Sequence, residues 1–295
     1  MAHVGFIGLG QMGGPMSRNL MKGGYRLKVH DVDRAAVDRL VKDGAEAAAS
    51  PREAAEGAEA VFTILPIGAV VEEVVFGPAG VAEGVAGDAL YVDMSTILPA
   101  DTDRIGGRLA GRGIAMVDAP VGRTSAAAAA GKSLFMVGGT KENVERARPY
   151  LEKMGDTIVH CGPLGAGSRM KIVNNYMSIV SNLLTAETLT LAESCGIGRE
   201  VALEVMRRTP AGRGHLNTTW PDKALKDDPE PAFMLDLAFK DLGLALDMAG
   251  QLDVPLATGA AARQIYALAR GQGHGRHDWT TGIYRTLRAL AGKAG

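Results

Sequence analysis

Hydrophobic positions in the first half of the chain fall in short β-branched runs separated by stretches with helical spacing. HVGFIG (3–8), RLKVHD (26–31), AVFTIL (60–65), ALYVDMS (89–95), IAMVDAP (114–120), SLFMVGG (133–139) and DTIVHC (156–161) read as strands. Residues 11–22, 34–43, 68–75, 99–110 and 141–153 read as helices. This alternation predicts an α/β fold with a mainly parallel, doubly wound sheet. The pattern breaks at CGPLGAGS (161–168), after which strand signals vanish. Residues 169–195 run without an internal Gly or Pro, enough for roughly 40 Å of helix at 1.5 Å per residue. Further helical stretches follow near 199–208, 235–252, 255–270 and 278–291. The expected division is an α/β domain, 1–162, and an all-helical domain, 163–295.

Composition narrows the classes of function. The 295 residues suit about two domains, and 46% hydrophobic content lets each carry a core. Lys and Arg number 32 against 33 Asp and Glu, a net charge of −1, and no like-charge block stands out. No basic face is therefore advertised for nucleic acid or an anionic membrane. Cys161 and Cys195 have no metal-ligand spacing and the histidines are scattered, so no metal is expected. No apolar stretch reaches membrane-spanning length, and the first strand starts too early to leave room for a signal peptide. The expected setting is the cytoplasm.

The first strand-to-helix turn carries chemistry. In VGFIGLGQMGGPM, Gly8, Gly10 and Gly13 form GxGxxG. Gly8 permits the tight turn, Gly10 lets a pyrophosphate approach, and Gly13 lets strand and helix pack closely. Gln11 and Met12 offer backbone amides at the helix N-terminus. The second strand ends in Asp31, 18 residues after Gly13, where a carboxylate can accept from both ribose hydroxyls of NAD and repel a 2′-phosphate. Together these residues predict a Rossmann-type domain that prefers NAD(H) to NADP(H). Two later strand ends open at the same sheet edge. At LPIG (Leu65, Pro66) Leu65 could cover the adenosine side, and at DMST Thr96 could lie near the nicotinamide; alternatively these are ordinary strand-to-helix loops, with Ser95 or Thr96 as a helix cap.

On the long helical stretch, Lys171, Asn174, Asn175 and Ser178 fall at i, i+3, i+4 and i+7 and share a face. Met170, Val173, Met177, Val180 and Leu184 mark an apolar face. A solvated polar stripe is the plain explanation. Against it, paired asparagines are poor helix formers for an exposed surface, and the first turns lie next to the first domain's ligand edge. There Lys171 suits general-acid work, with the asparagines orienting a substrate. Lys240, in FMLDLAFKDLGLALDMA, is read equally well as a site residue or as a surface partner of Asp236.

GFIGLGQMGGPM, DMST, DAPV, MVGG, GAGSRMKIVNN and FKDLGLALDMA resemble the β-hydroxyacid dehydrogenase family along the whole chain. The resemblance implies a Rossmann-type domain, a helical domain that forms homodimers or homotetramers, and no metal. It maps a catalytic lysine onto Lys171, a substrate-orienting asparagine onto Asn175 and a second pocket lysine onto Lys240. One departure matters. A Ser-Gly-Gly type stretch usually follows DAPV, whereas this chain has Gly122, Arg123, Thr124 and Ser125. With VNNYMSI, GRGH, TTWP and GRHDW, that replacement is similar to members that act on a short sulfonated aldehyde.

Arg123 then has a role to fill. Thr124 or Ser125 can cap a short helix over Ala126–Ala130. A helix terminus alone favours an anion by about 0.3–1 kcal/mol. A charge-assisted bond from Arg123 adds about 1.5–3 kcal/mol, so the side chain dominates. A guanidinium fork suits a permanently ionised, tetrahedral sulfonate; the competing reading pairs Arg123 with an acid such as Asp118. Within the family the alternative is a carboxylate-reading dehydrogenase, for 3-hydroxyisobutyrate, tartronate semialdehyde or 4-hydroxybutyrate. Outside enzymes, the alternative is a non-catalytic NAD-binding regulator.

Overall fold

The strands expected in the first half join one sheet. The computed structural model describes residues 3–85 and 87–293; the outer ends of the expected domains, residues 1 and 295, lie outside them. The strands are β1 (His3–Ile7), β2 (Arg26–His30), β3 (Glu46–Ala47), β4 (Ala60–Thr63), β5 (Leu90–Asp93), β6 (Ala115–Asp118), β7 (Val121–Gly122), β8 (Ser133–Gly138) and β9 (Gly155–Gly162). Interleaved with them are helices α1 (Gly13–Lys22), α2 (Arg34–Lys42), α3 (Pro51–Ala55), α4 (Gly68–Phe76), α5 (Val81–Gly84), α6 (Pro99–Ala110), α7 (Ser125–Ala129) and α8 (Lys141–Met154).

Sheet order runs β3-β2-β1-β4-β5-β6-β8, parallel as far as β6. β6 and β7 both pair antiparallel with β8 in one continuous register, and β9 lies parallel on its other side. β4 and β5 are buried along their whole length, as a sheet covered by helices on both faces requires. Two apolar clusters fill the two sides, one around Phe6, Val29, Phe62 and Leu151, the other around Val61, Val71, Tyr91 and Ile105. Since β1 sits between β2 and β4, the connections that follow β1 and β4 run to opposite sides, and the switch in strand order opens a crevice at the carboxyl ends of these strands.

The short elements β3, β7, α3 and α5 are additions to the sequence-derived pattern. Two to five residues carry no periodicity. Only α3 was announced locally, because Ser50 accepts the Glu53 N–H at 3.1 Å ahead of Pro51.

The long helix α9 (Ala166–Ser194) starts three residues before its expected start. Contacts divide the chain into compact units Met1–Tyr176 and Met177–Gly295, so the first turns of α9 belong to the α/β unit. The second unit is helical, with α10 (Arg199–Arg208), α11 (Pro210–Arg213), α12 (Leu235–Gln251), α13 (Ala257–Gly271) and α14 (Trp279–Leu290). Asp278 is buried there and caps α14 through Thr280, while also accepting from the amides of Ala232 and Phe233. No helix among the described residues is long and apolar enough to cross a membrane.

Candidate active site

The three glycines of the first turn are required for different reasons. Gly8 is left-handed, with φ 94°, and a Cβ on it would overlap the Ile64 carbonyl oxygen. A Cβ on Gly13 would overlap the Gly8 carbonyl oxygen. Packing dictates both. Gly10 differs: a Cβ there would meet nothing within 4 Å. The protein's own packing has no need of that glycine, and the open space beside it, next to the N-terminus of α1, is what the approach of a pyrophosphate to this turn would need. Asp31 accepts the Leu9 N–H at 2.6 Å and the Asp33 N–H at 2.8 Å, which fixes its carboxylate beside the glycine turn. Leu9, Gly10, Gln11, Pro15 and Asp31 line an open cavity of about 530 Å³. Arg18 and Arg39 also border it, but Asp43 holds Arg18 at 2.6 Å and Asp33 approaches Arg39 at 3.7 Å. A turn for phosphates and a carboxylate for ribose hydroxyls are together what NAD requires.

Leu65 and Pro66 follow β4, and Ser95 and Thr96 follow β5. Neither Ser95 nor Thr96 caps a helix, because α6 begins only at Pro99 with Leu98 at its N-cap. Thr96 and Pro66 are exposed and Leu65 half-buried at the sheet edge. Ser95 is buried, donating to Asp93 at 2.5 Å and accepting the Leu65 N–H at 2.9 Å.

Asp118, at the end of β6, organises the neighbouring strand end. One carboxylate oxygen accepts the Gly165 N–H at 2.7 Å and the other the Ser168 N–H at 2.6 Å, so the first turn of α9 hangs on the sheet edge. Side chains on Gly138 or Gly167 would collide with this cage, which explains the glycines in MVGG and GAGS. Burial raises the Asp118 carboxyl above its ordinary range, against the pull of those amides. Thr102 meets Ser168 at 3.0 Å, and Asp103 forms two bonds with Arg169, at 2.6 and 3.1 Å, fastening the same turn to α6. Lys171 follows two residues later. It is half-buried, its ammonium is lowered by desolvation, and it has no hydrogen-bond or ion-pair partner among the described residues. Asn174 and Asn175 stand one turn on, 3.5 Å apart through their side-chain amides.

Arg123 occupies left-handed backbone, φ 71°, where a side chain is strained. Its guanidinium donates to Asp156 at 2.6 Å, to the Lys132 carbonyl at 2.6 Å and to the Thr157 hydroxyl at 3.0 Å. The acid beside it is Asp156, at the start of β9, since Asp118 is committed to α9. Gly122 is buried in β7. Thr124 caps α7 by accepting the Ala127 N–H at 3.3 Å, and Ser125 is its first residue.

In the second unit Ser178 is exposed on α9, and Lys240, on α12, pairs with Asp241 at 2.9 Å. Asp236 is held instead by Arg270 at 2.5 Å. His215 packs edge-on against Trp279 and bonds Thr219 at 3.0 Å, which accounts for it as part of an ordered loop. Sequence reasoning overlooked Asp93 and Asp118 as organising groups. An acid ending an otherwise apolar strand was the available signal.

Residues 3–162 match the family described as the NAD binding domain of 6-phosphogluconate dehydrogenase. Residues 165–287 match that described as the NAD-binding of NADP-dependent 3-hydroxyisobutyrate dehydrogenase. The chain is 50% identical to 3-sulfolactaldehyde reductase of Escherichia coli (strain K12), over 99% of this chain and 98% of that one. It is 39% identical to 3-hydroxyisobutyrate dehydrogenase of Pseudomonas aeruginosa, over 94% and 95% of the two chains. Among solved structures, 3-hydroxyisobutyrate dehydrogenase of Mycobacterium tuberculosis with L-serine superposes with a TM-score of 0.69 at 32% identity, covering 98% of this chain and 99% of that one.

Proposed function

The chain belongs to the β-hydroxyacid dehydrogenase family, and from that premise we propose that it reduces 3-sulfolactaldehyde reversibly to 2,3-dihydroxypropane-1-sulfonate with NADH. Bound NADH supplies the hydride. Gly8, Gly10, Gln11, Met12, Gly13 and Asp31 hold the cofactor, with Leu65, Pro66 and Thr96 along its length.

The observation that carries the chemistry is Lys171, a half-buried cation with no ion-pair partner among the described residues. Desolvation makes its ammonium a stronger acid than a surface lysine, so a proton passes more readily from Nζ to the developing alkoxide. Asn174, Asn175, Ser178 and Lys240 orient the hydroxyl and carbonyl. Arg123, with Gly122, Thr124 and Ser125, reads the sulfonate. An arginine kept in a backbone conformation that favours glycine supports that assignment, because the strain needs a return.

We further read the protein as a cytoplasmic homodimer or homotetramer built on its helical part. Supporting the oligomer, Met177 is 50% and Ile179 68% exposed on α9 in the single chain, and Leu183 and Leu184 beyond them are exposed too.

Steady-state kinetics of the wild type and Arg123→Ala on sulfolactaldehyde, tartronate semialdehyde and 3-hydroxyisobutyrate test the substrate. A selective loss of sulfonate turnover supports the reading; a loss no greater for the sulfonate than for the carboxylates overturns the role of Arg123, and a wild type that prefers a carboxylate substrate is a carboxylate-reading dehydrogenase.

A further inference from the structure

Thr63 and Asp93 end the neighbouring strands β4 and β5 in direct register. Asp93 Oδ1 accepts three hydrogen bonds, from Thr63 Oγ1 at 2.9 Å, Ser95 N at 3.1 Å and Ser95 Oγ at 2.5 Å. The proton inventory fixes the direction of the rest. Thr63 spends its only hydroxyl proton on Asp93, so the Tyr91 hydroxyl, 2.6 Å away, donates to Thr63. Ser95 likewise spends its proton on Asp93 and uses a lone pair for the Leu65 N–H at 2.9 Å. Bonds from both strand ends thus converge on one carboxylate oxygen, and the loop after β4 is tied through Ser95 to the loop after β5. Asp93 is 1% exposed, and no cation pairs with it among the described residues. Burying an unpaired charge is expensive, and an asparagine would offer the same acceptor oxygen without that cost.

We propose that Asp93 is a positioning residue for the cofactor: its negative charge sets the Leu65–Pro66 and Ser95–Thr96 loops in the shape that accepts NADH, and its protonation loosens them. Burial raises the Asp93 carboxyl to about 6, within reach of mild acid. Among the described residues, two titratable groups face it. Tyr91, on the same strand, is pushed well above the usual phenol range by burial and stays neutral. Asp118, on β6, repels it and adds to the rise. Ionisation of Asp93 therefore strengthens NADH binding as pH rises, and by reciprocity NADH holds the carboxyl ionised.

NADH fluorescence titration of the full-length protein from about pH 5 to about pH 8, with the wild type, Asp93→Asn and Ser95→Ala, tests this. The wild-type Kd is expected to weaken roughly fivefold or more toward the acid end, the difference between charge-assisted and neutral bonds. Asp93→Asn, a neutral mimic of the protonated acid, should bind at the alkaline end as weakly as the wild type does in acid, without a slope. Ser95→Ala should bind weakly at both ends. A wild-type Kd that does not change with pH overturns the proposal, as does an Asp93→Asn variant that keeps the wild-type Kd and slope. Should Asp93→Asn not fold, the wild-type profile and Ser95→Ala decide alone.

Discussion

Arg123 and Asp156 form an ion pair at 2.6 Å, so the guanidinium assigned to the substrate anion already has an anion beside it. A sulfonate must share or displace that carboxylate. Asp156→Asn is accordingly expected to lower the KM for the sulfonated aldehyde several-fold and leave kcat nearly unchanged. The neighbouring hydroxyl of Thr157 and the guanidinium hold the Asp156 carboxyl below its ordinary range, so it remains a competitor throughout neutral pH. A KM that rises in this variant would mean that Asp156 positions Arg123 instead of competing for it.

Arg123→Gly separates side chain from backbone. Glycine accepts the left-handed φ of 71° without strain. That relieves about 1 kcal/mol, which offsets the exposed ion pair lost with it. Thermal stability should stay close to wild type, while the KM for the sulfonated substrate rises about tenfold or more. Arg123→Ala should show the same kinetic loss without the relief. Equal turnover of the sulfonate by wild type and Arg123→Gly would remove the arginine from substrate recognition.

What could be read in advance follows a physical divide. The alternation that yields the parallel sheet, and the span of α9, depend on periodicities of many residues and were plain along the chain. Strands β3 and β7 are two residues long and exist because a neighbour offers a ladder. The same divide runs through the site. GxGxxG, Asp31 and the Lys171 stripe repeat at local spacing. The cage that Asp118 builds for Gly165 and Ser168 joins residues 47 and 50 positions apart, and the pairing of Arg123 with Asp156 joins residues 33 apart. Lys240 pairs with Asp241, since Arg270 from α13 takes Asp236, a partner that helical spacing on α12 alone does not reveal.

Lys171→Ala should cut kcat by about 10²–10⁴, the usual worth of a general acid, with the NADH Kd unchanged. In the reducing direction the ammonium is the active form, so the rate falls as pH rises through the Lys171 pKa. Because desolvation lowers that pKa, the fall sets in below the ordinary lysine range. In the oxidising direction the neutral amine is needed and the profile reverses. The charged form is the one that burial disfavours, so Lys171→Met should raise Tm while losing kcat to the same extent as Lys171→Ala. That result distinguishes a catalytic loss from a folding defect.

Asp118→Ala removes both acceptors from the first turn of α9 and leaves two buried N–H groups unsatisfied, at a cost of about 2–6 kcal/mol. Urea unfolding measures that cost. Because Lys171 lies one turn beyond Ser168, kcat should fall more than the affinity for NADH. An unchanged kcat in a destabilised variant would show that α6 holds this turn in place through Thr102 and Asp103 without help.

The two outer glycines and the central one of the first turn predict opposite behaviour. Gly13→Ala forces a methyl into the Gly8 carbonyl, a backbone atom that cannot move aside, and should destabilise the fold by several kcal/mol, roughly the cost of severe overpacking. Gly10→Ala adds a methyl to open space and should leave Tm unchanged within about a degree or raise it slightly, because alanine reduces the freedom of the unfolded chain. The same methyl occupies the place left for the pyrophosphate, so the NADH Kd should weaken by about tenfold or more. Calorimetry and an NADH titration on the two variants check both halves. If Gly10→Ala binds NADH like the wild type, the phosphates do not lie over this turn, and the role given to Asp31 falls with them.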